Sequence, residues 1–193
     1  MRVILVSALA LGLAGCGGGK TSSTTTVTNK ASVTLTNASE AQVAAKVAEV
    51  KAANLIDHGA WETKFELVSL DFPGLAADDP ARLTAIDELT RPMPVLKQCV
   101  SADSSIAANP VLTQGVGKDC VYSNYAMGDG KIAADAVCKG AQGQRVTLKL
   151  AGTYSKTQAD LTREEHVEAP AGQKGAQDIK LHITARRTGD CKA

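Results

Sequence analysis

The chain has 193 residues, with 21 Lys and Arg against 20 Asp and Glu, a net charge of +1. Near-neutral charge leaves no basic face to neutralise phosphates, which argues against a nucleic-acid partner. Hydrophobic residues make up 44% of the chain but aromatics only 3%, so the core of its single predicted domain has to rest on Val, Leu, Ile and Ala.

Met1 and Arg2 precede an apolar run over 3–13. A membrane-spanning helix needs about 20 apolar residues, so this shorter run reads as the core of a signal peptide over residues 1–15. It ends in Leu13-Ala14-Gly15-Cys16, which resembles the bacterial lipobox. The resemblance implies that Cys16 carries a diacylglycerol thioether, becomes the mature N-terminus and is acylated on its amino group. Gly17, where a retention signal would place Asp, implies sorting to the outer membrane, facing the periplasm. The membrane is then a partner through lipid on Cys16. Residues 16–38 are mostly Gly, Ser, Thr and Asn and read as a flexible tether that cannot bury enough apolar surface to order itself. Within it, "SVTLT" (32–36) has strand propensity and could dock on a sheet edge.

"SEAQVAAKVAEVKAANL" (39–55) predicts a helix within an N-terminal helical segment spanning 39–58. Ser39 and Gln42 form a capping box, and Val43, Val47 and Val50 share one face. A β domain is expected over 59–193. "WETKFEL" (61–67) alternates, with Trp61, Phe65 and Leu67 on the buried side. "DDPARLTAIDEL" (78–89) reads as a short inserted helix: an Asp cap, Pro80 in the first turn, then Leu83, Ile86 and Leu89 at helical spacing. "PVLKQCV" (94–100) is a strand, and "SADSSIAA" (101–108) a short helical turn.

With Cys16 assigned to lipid, Cys99, Cys120, Cys138 and Cys191 remain. Export to an oxidising compartment makes this even number two disulfides, with three possible connectivities. The segment 120–138 selects one of them. "MGDGK" is a hairpin turn with glycines at 128 and 130. Centred on Asp129, the hairpin sets Cys120 opposite Cys138, Tyr122 opposite Ala136 and Ala126 opposite Ile132. Opposed Cβ atoms in antiparallel strands lie near disulfide distance, so Cys120–Cys138 is expected, and Cys99–Cys191 by exclusion. A zinc site fails on spacing, because no two cysteines are close neighbours and the three histidines are scattered; no metal or cofactor is expected.

"RVTLKLAG" (145–152) alternates again, and a further strand is expected near 153–156. The chain then turns at "KTQAD" into "LTREEHVE" (161–168), read as an edge strand whose Glu164, Glu165 and Glu168 guard against aggregation. Residues 169–177 form a loop. "DIKLHITARR" (178–187) closes the chain, with Ile179, Leu181, Ile183, Ala185 and Arg187 inward and Lys180, His182, Thr184 and Arg186 outward. His166 and His182 would lie diagonally on the outer face, as polar surface groups rather than metal ligands. The expected fold is mainly β, an antiparallel barrel or strongly curved sheet, because closure removes exposed edges. It carries the N-terminal helix and one short inserted helix.

"GAWETKF", "PMPVLKQCV", the Cys-to-Cys hairpin and the terminal "ARRTGDC" together resemble the domain-of-unknown-function family 3617, small exported bacterial proteins that are often lipoproteins. The resemblance covers 59–191, through Gly59, Trp61, Pro92, Met93, Pro94, the four distal cysteines, Gly189 and Asp190. The family implies no activity. Gly59 and Trp61 entering the first strand, with an inward Arg187 at the last, are also similar to the lipocalin-like arrangement, in which Arg packs over Trp. That likeness implies a cation–π contact worth about 0.5–2 kcal/mol. Asp57-His58 and Asp190 stand without a nucleophile motif such as G-x-S-x-G. The expected function is non-enzymatic: a cell-envelope lipoprotein acting as an interaction or small-ligand-binding module, with an envelope protein or small apolar molecule as partner. The alternatives are a lipocalin-like carrier and an uncharacterised periplasmic hydrolase.

Overall fold

The computed structural model describes residues 32–49, 56–100, 118–140, 142–170 and 172–191. The signal segment, Cys16, most of the tether, the end of the first helix and the helical turn expected at 101–108 lie outside them. In chain order the elements are β1 (Val33–Leu35), β2 (Ala38–Ser39), α1 (Glu40–Glu49), β3 (Gly59–Asp71), α2 (Pro80–Leu89), β4 (Leu96–Val100), β5 (Lys118–Gly128), β6 (Lys131–Lys139), β7 (Arg145–Tyr154), β8 (Gln158–Val167) and β9 (Gln177–Gly189).

All nine strands form one antiparallel sheet in the order β1-β5-β6-β7-β8-β9-β3-β4, with β2 also on β5. The path ends at β1 and β4, so the sheet is open. This corrects the closed-barrel alternative: no pairing joins the two edge strands among the described residues. The β structure also begins earlier than the expected tether boundary. Val33 and Leu35 alternate with polar neighbours and are almost fully buried, which seats β1 against β5. Between β1 and β2, Asn37 turns the chain with φ 51°.

The strands have two distinct ends. At one lie Val33, the β5–β6 turn, the β7–β8 turn, Gly59 and Gly189. At the other lie Ser39 and α1, the β6–β7 and β8–β9 loops, and Asp71, from which the chain leaves for α2. One face carries the core. Val33, Leu35, Trp61, Tyr122, Tyr125, Met127, Leu148, Leu150, Leu161, Leu181 and Ile183 belong to a single buried cluster, with Val43 and Val47 contributed by α1. The helix begins with the expected box: Ser39 N–H donates to Gln42 Oε1 at 2.8 Å, and Gln42 N–H to Ser39 Oγ at 3.3 Å.

The β5–β6 hairpin turns on two residues, Asp129 and Gly130, with φ 48° and 73°. Positive φ at both positions defines a type I′ turn, which suits the strand twist. A two-residue turn shifts the register by one from the expected one: Ala126 faces Ala133, not Ile132. Continued unchanged, this register would point Cys120 away from the face that holds Cys138. A bulge at Ser123 corrects it. Asn124 still faces Asp135 in the turn register, whereas Tyr122 faces Ala136 as expected. Ser123 is the extra residue, and its hydroxyl donates to the Asp135 carbonyl at 3.2 Å. Residues three apart on a regular strand face opposite ways. The bulge instead buries both Tyr122 and Tyr125, with ring centroids 5.8 Å apart and planes at 90°. Edge-to-face geometry of this kind is the favourable one.

Both expected disulfides are present, Cys120–Cys138 with Cα atoms 4.0 Å apart and Cys99–Cys191 with Cα atoms 5.5 Å apart. They close loops of sequence separation 18 and 92. In the chain-entropy model, such closures remove about 3 and about 4.6 kcal/mol of unfolded-state freedom.

Two further expectations change. β8 is not an edge strand, because β7 and β9 pair with both of its sides along its length. The inserted helix is real, with Asp79 accepting from Ala81 N–H at 2.8 Å, but it buries none of its residues. Of its apolar residues Leu83 is exposed, and Ile86 and Leu89 are only half-buried.

Deletion of Ser123 is expected to flip Cys120 off the inner face. Peptide mapping of the variant should then find free thiols at both Cys120 and Cys138, with Cys99–Cys191 intact.

Candidate functional site

Three groups of side chains stand out: an ion pair inside the sheet, a clamp at one end, and a charged lattice outside. The first lies on β8. Its inward positions read Leu161, Arg163, Glu165, Val167, so an apolar parity is interrupted by two charges. Arg163 faces Leu150 and Leu181 across the ladders, and Glu165 faces Leu148 and Ile179. Arg163 Nε lies 2.7 Å from Glu165 Oε1, with both side chains under 10% exposed. Burial pushes the Glu165 carboxyl above the ordinary carboxylate range while Arg163 pulls it back, and burial lowers the guanidinium. Two ions so placed carry a desolvation cost that mutual attraction roughly offsets. A third polar group shares the inner face. Thr63 is 1% exposed, and its hydroxyl has no hydrogen-bond partner among the described residues. Around these groups Phe65, Leu67, Val167 and Ile179 are only partly buried.

The clamp contains Gly59, Trp61 and Arg187. Trp61 and Arg187 are cross-strand partners, and Trp61 is 2% exposed. The segment before β3 supplies two consecutive carbonyls. Trp61 Nε1 donates to that of Asp57 at 3.0 Å, and Arg187 Nε to that of His58 at 2.6 Å. Arg187 Nη2 also donates to Asp190. The guanidinium is thus held by oxygens and not by the indole face, which corrects the expected cation–π contact. The arginine found over a ring is Arg82, 5.9 Å from the Phe72 centroid. Gly59 makes room: a Cβ there would lie 2.6 Å from Arg187 Nε and 2.3 Å from the Gly189 carbonyl, at φ +137°. The backbone N–H groups of Asp57 and Arg187 bind the β7–β8 turn through Lys156 and Thr157.

On the outer face, ion pairs stitch the strands together. Glu62 binds Lys97 at 3.3 Å and Arg186 at 3.1 Å, which lowers its pKa. Glu164 binds Lys180 at 2.8 Å, His166 binds Asp178 at 2.6 Å, and His182 lies 3.0 Å from Asp160 and 3.7 Å from Glu66. The two histidines face outward as expected but are not diagonal neighbours. His166 faces Asp178 and His182 faces Thr162, four positions apart or about 13 Å along the strand. A depression of about 400 Å³ is walled by Glu62, Lys64, Asp160, Thr184 and Arg186 beside Tyr154. A second, of about 360 Å³, lies among Asp71, Lys149, Glu164, His166, Asp178 and Lys180.

Glu165→Leu alone strands the buried guanidinium and is expected to cost about 3–5 kcal/mol by urea unfolding, while Arg163→Met with Glu165→Leu costs far less. His182 has a raised pKa, chiefly from its Asp160 hydrogen bond. Its contribution to stability is therefore complete below the unfolded-state value of about 6.5 and is lost as pH rises through the folded value. His182→Gln should flatten that part of the urea-midpoint profile against pH.

The sequence pointed to Gly59, Trp61, Arg187 and the cysteines; it read Glu165 as an edge guard and missed Arg163 and Thr63, whose only signal was polar residues at inward parity. No curated protein and no solved structure matches the chain. The family model described as "Protein of unknown function (DUF3617)" matches residues 56–191. That span takes in the clamp, the ion pair and both disulfides, and the chain belongs to this family.

Proposed function

We propose that the protein is a non-enzymatic, lipid-anchored module of the cell envelope that holds a protein partner through the β3–β4 connection. The observation that carries this reading is α2 and its flank. At ten residues α2 is shorter than the roughly 12–15 at which an isolated helix becomes even marginally stable in water. It is held by its Asp79 cap and by Arg82, which reaches the Leu75 carbonyl, Asp71 and the Phe72 ring. Leu83, Met93 and Val95 nevertheless stand 54%, 36% and 43% exposed. Covering such side chains is favourable by about 25 cal/mol per Å².

A rigid frame supports the same reading. α1 packs chiefly on β1, β2 and β5, while the buried cluster continues across β6 to β9 and β3. Within that cluster Leu161 and Ile183 have no exposure. The anchor rests on Leu13-Ala14-Gly15-Cys16.

The carrier alternative keeps one supporting observation, the unpartnered Thr63 hydroxyl beside half-buried Phe65 and Leu67. One experiment separates the two. With a photo-crosslinking residue at Leu83 or at Val121 in cells of the source bacterium, a discrete protein adduct is expected at Leu83 and not at Val121. Absence of that adduct, with a small molecule retained in native mass spectra, would favour the carrier. Cys16→Ser should move the protein from membrane to soluble fractions.

A further inference from the structure

The two disulfides occupy opposite environments. Cys120 and Cys138 are 5% and 2% exposed and join neighbouring strands inside the core. Cys99 and Cys191 are both solvent-exposed. Cys99 lies on β4, the last strand of the sheet path, whose far side pairs with no strand among the described residues. Cys191 lies beyond the end of β9, after Asp190 and its bond to Arg187. Thiol–disulfide exchange requires a thiolate to reach one sulfur of the pair. The edge position leaves that approach open for Cys99–Cys191, and burial denies it to Cys120–Cys138.

We propose that Cys99–Cys191 is a thiol–disulfide exchange site for a dithiol reductant, and that its opening releases β4 from the end of β9. A thiolate of the dithiol attacks one sulfur, forming a mixed disulfide and expelling the other cysteine as a thiolate. The second thiol of the dithiol then displaces the first cysteine. Two electrons and two protons pass to the protein, and the reductant leaves as a disulfide. The β3–β4 ladder is five residues long, from Gly59↔Val100 to Thr63↔Leu96. After reduction that ladder still holds the edge strand, together with the Lys97–Glu62 ion pair and the buried Val100 side chain.

The test uses the full chain, dithiothreitol without denaturant, alkylation at timed intervals and peptide mapping. Cys99 and Cys191 are expected to be labelled at least tenfold faster than Cys120 and Cys138. Hydrogen exchange of 96–100 should quicken on reduction while that of β6 to β8 is unchanged. Equal labelling rates, or earlier labelling of Cys120 and Cys138, would overturn the proposal. So would unchanged exchange at 96–100. A Cys99→Ser, Cys191→Ser variant should keep the fold with fast exchange at 96–100; its failure to fold would make the bridge structural and overturn the latch.

Discussion

A sheet with one apolar face has to find cover for that face, and among the described residues inward side chains of the strands join in one buried cluster. Of the described helices α1 contributes to it, with Val43 and Val47, and packs chiefly on β1, β2 and β5. Everything else follows from that constraint. Inward positions on β6 are Ile132, Ala134, Ala136 and Cys138, three of them small. Larger inward residues stand on the other strands, among them Trp61 on β3, Tyr125 and Met127 on β5, Leu148 and Leu150 on β7 and Leu161 on β8. The aromatic content is so low that Trp61, Tyr122 and Tyr125 each occupy a particular place, and two of these places depend on local irregularities.

The bulge at Ser123 is the clearest example. A tight I′ turn and a cystine inside the core place conflicting demands on one strand. The turn sets odd-numbered residues of β5 inward, whereas Cys120 and Tyr122 are even. One inserted residue reconciles the two within a single strand. Arg187 is similar in kind. Its partner across the ladder is Trp61, yet its guanidinium serves the backbone of the preceding segment and Asp190. The end of the sheet is thereby fastened by hydrogen bonds from side chains at the positions where the ladder itself runs out.

Much of the architecture was legible because alternation is a strong signal. β3, β7 and β9 follow it, as does the cap of α1 through Ser39 and Gln42. The cystine pairing was also legible, although through a register that holds only beyond the bulge. Strand order was not legible, because it depends on contacts between segments far apart in sequence. β8 was misread for a physical reason: Arg163 and Glu165 occupy inward positions, so an internal strand has the composition of an edge. The helical spacing in α2 was correctly seen, but spacing alone does not reveal whether a face meets a neighbour. Thr63 falls at inward parity in β3, but that is a weak signal, since Thr is at home on either side of a strand.

Polarity along the strands has one more consequence. The chain enters the sheet at Val33, beside the β5–β6 turn, and departs for α2 from the far end, at Asp71. Any leash attached ahead of Ser32 therefore draws on one pole of the molecule while α2 stands at the other. Tension along that leash would run parallel to β1 and across its three rungs to β5, loading them together in shear rather than peeling them apart one by one.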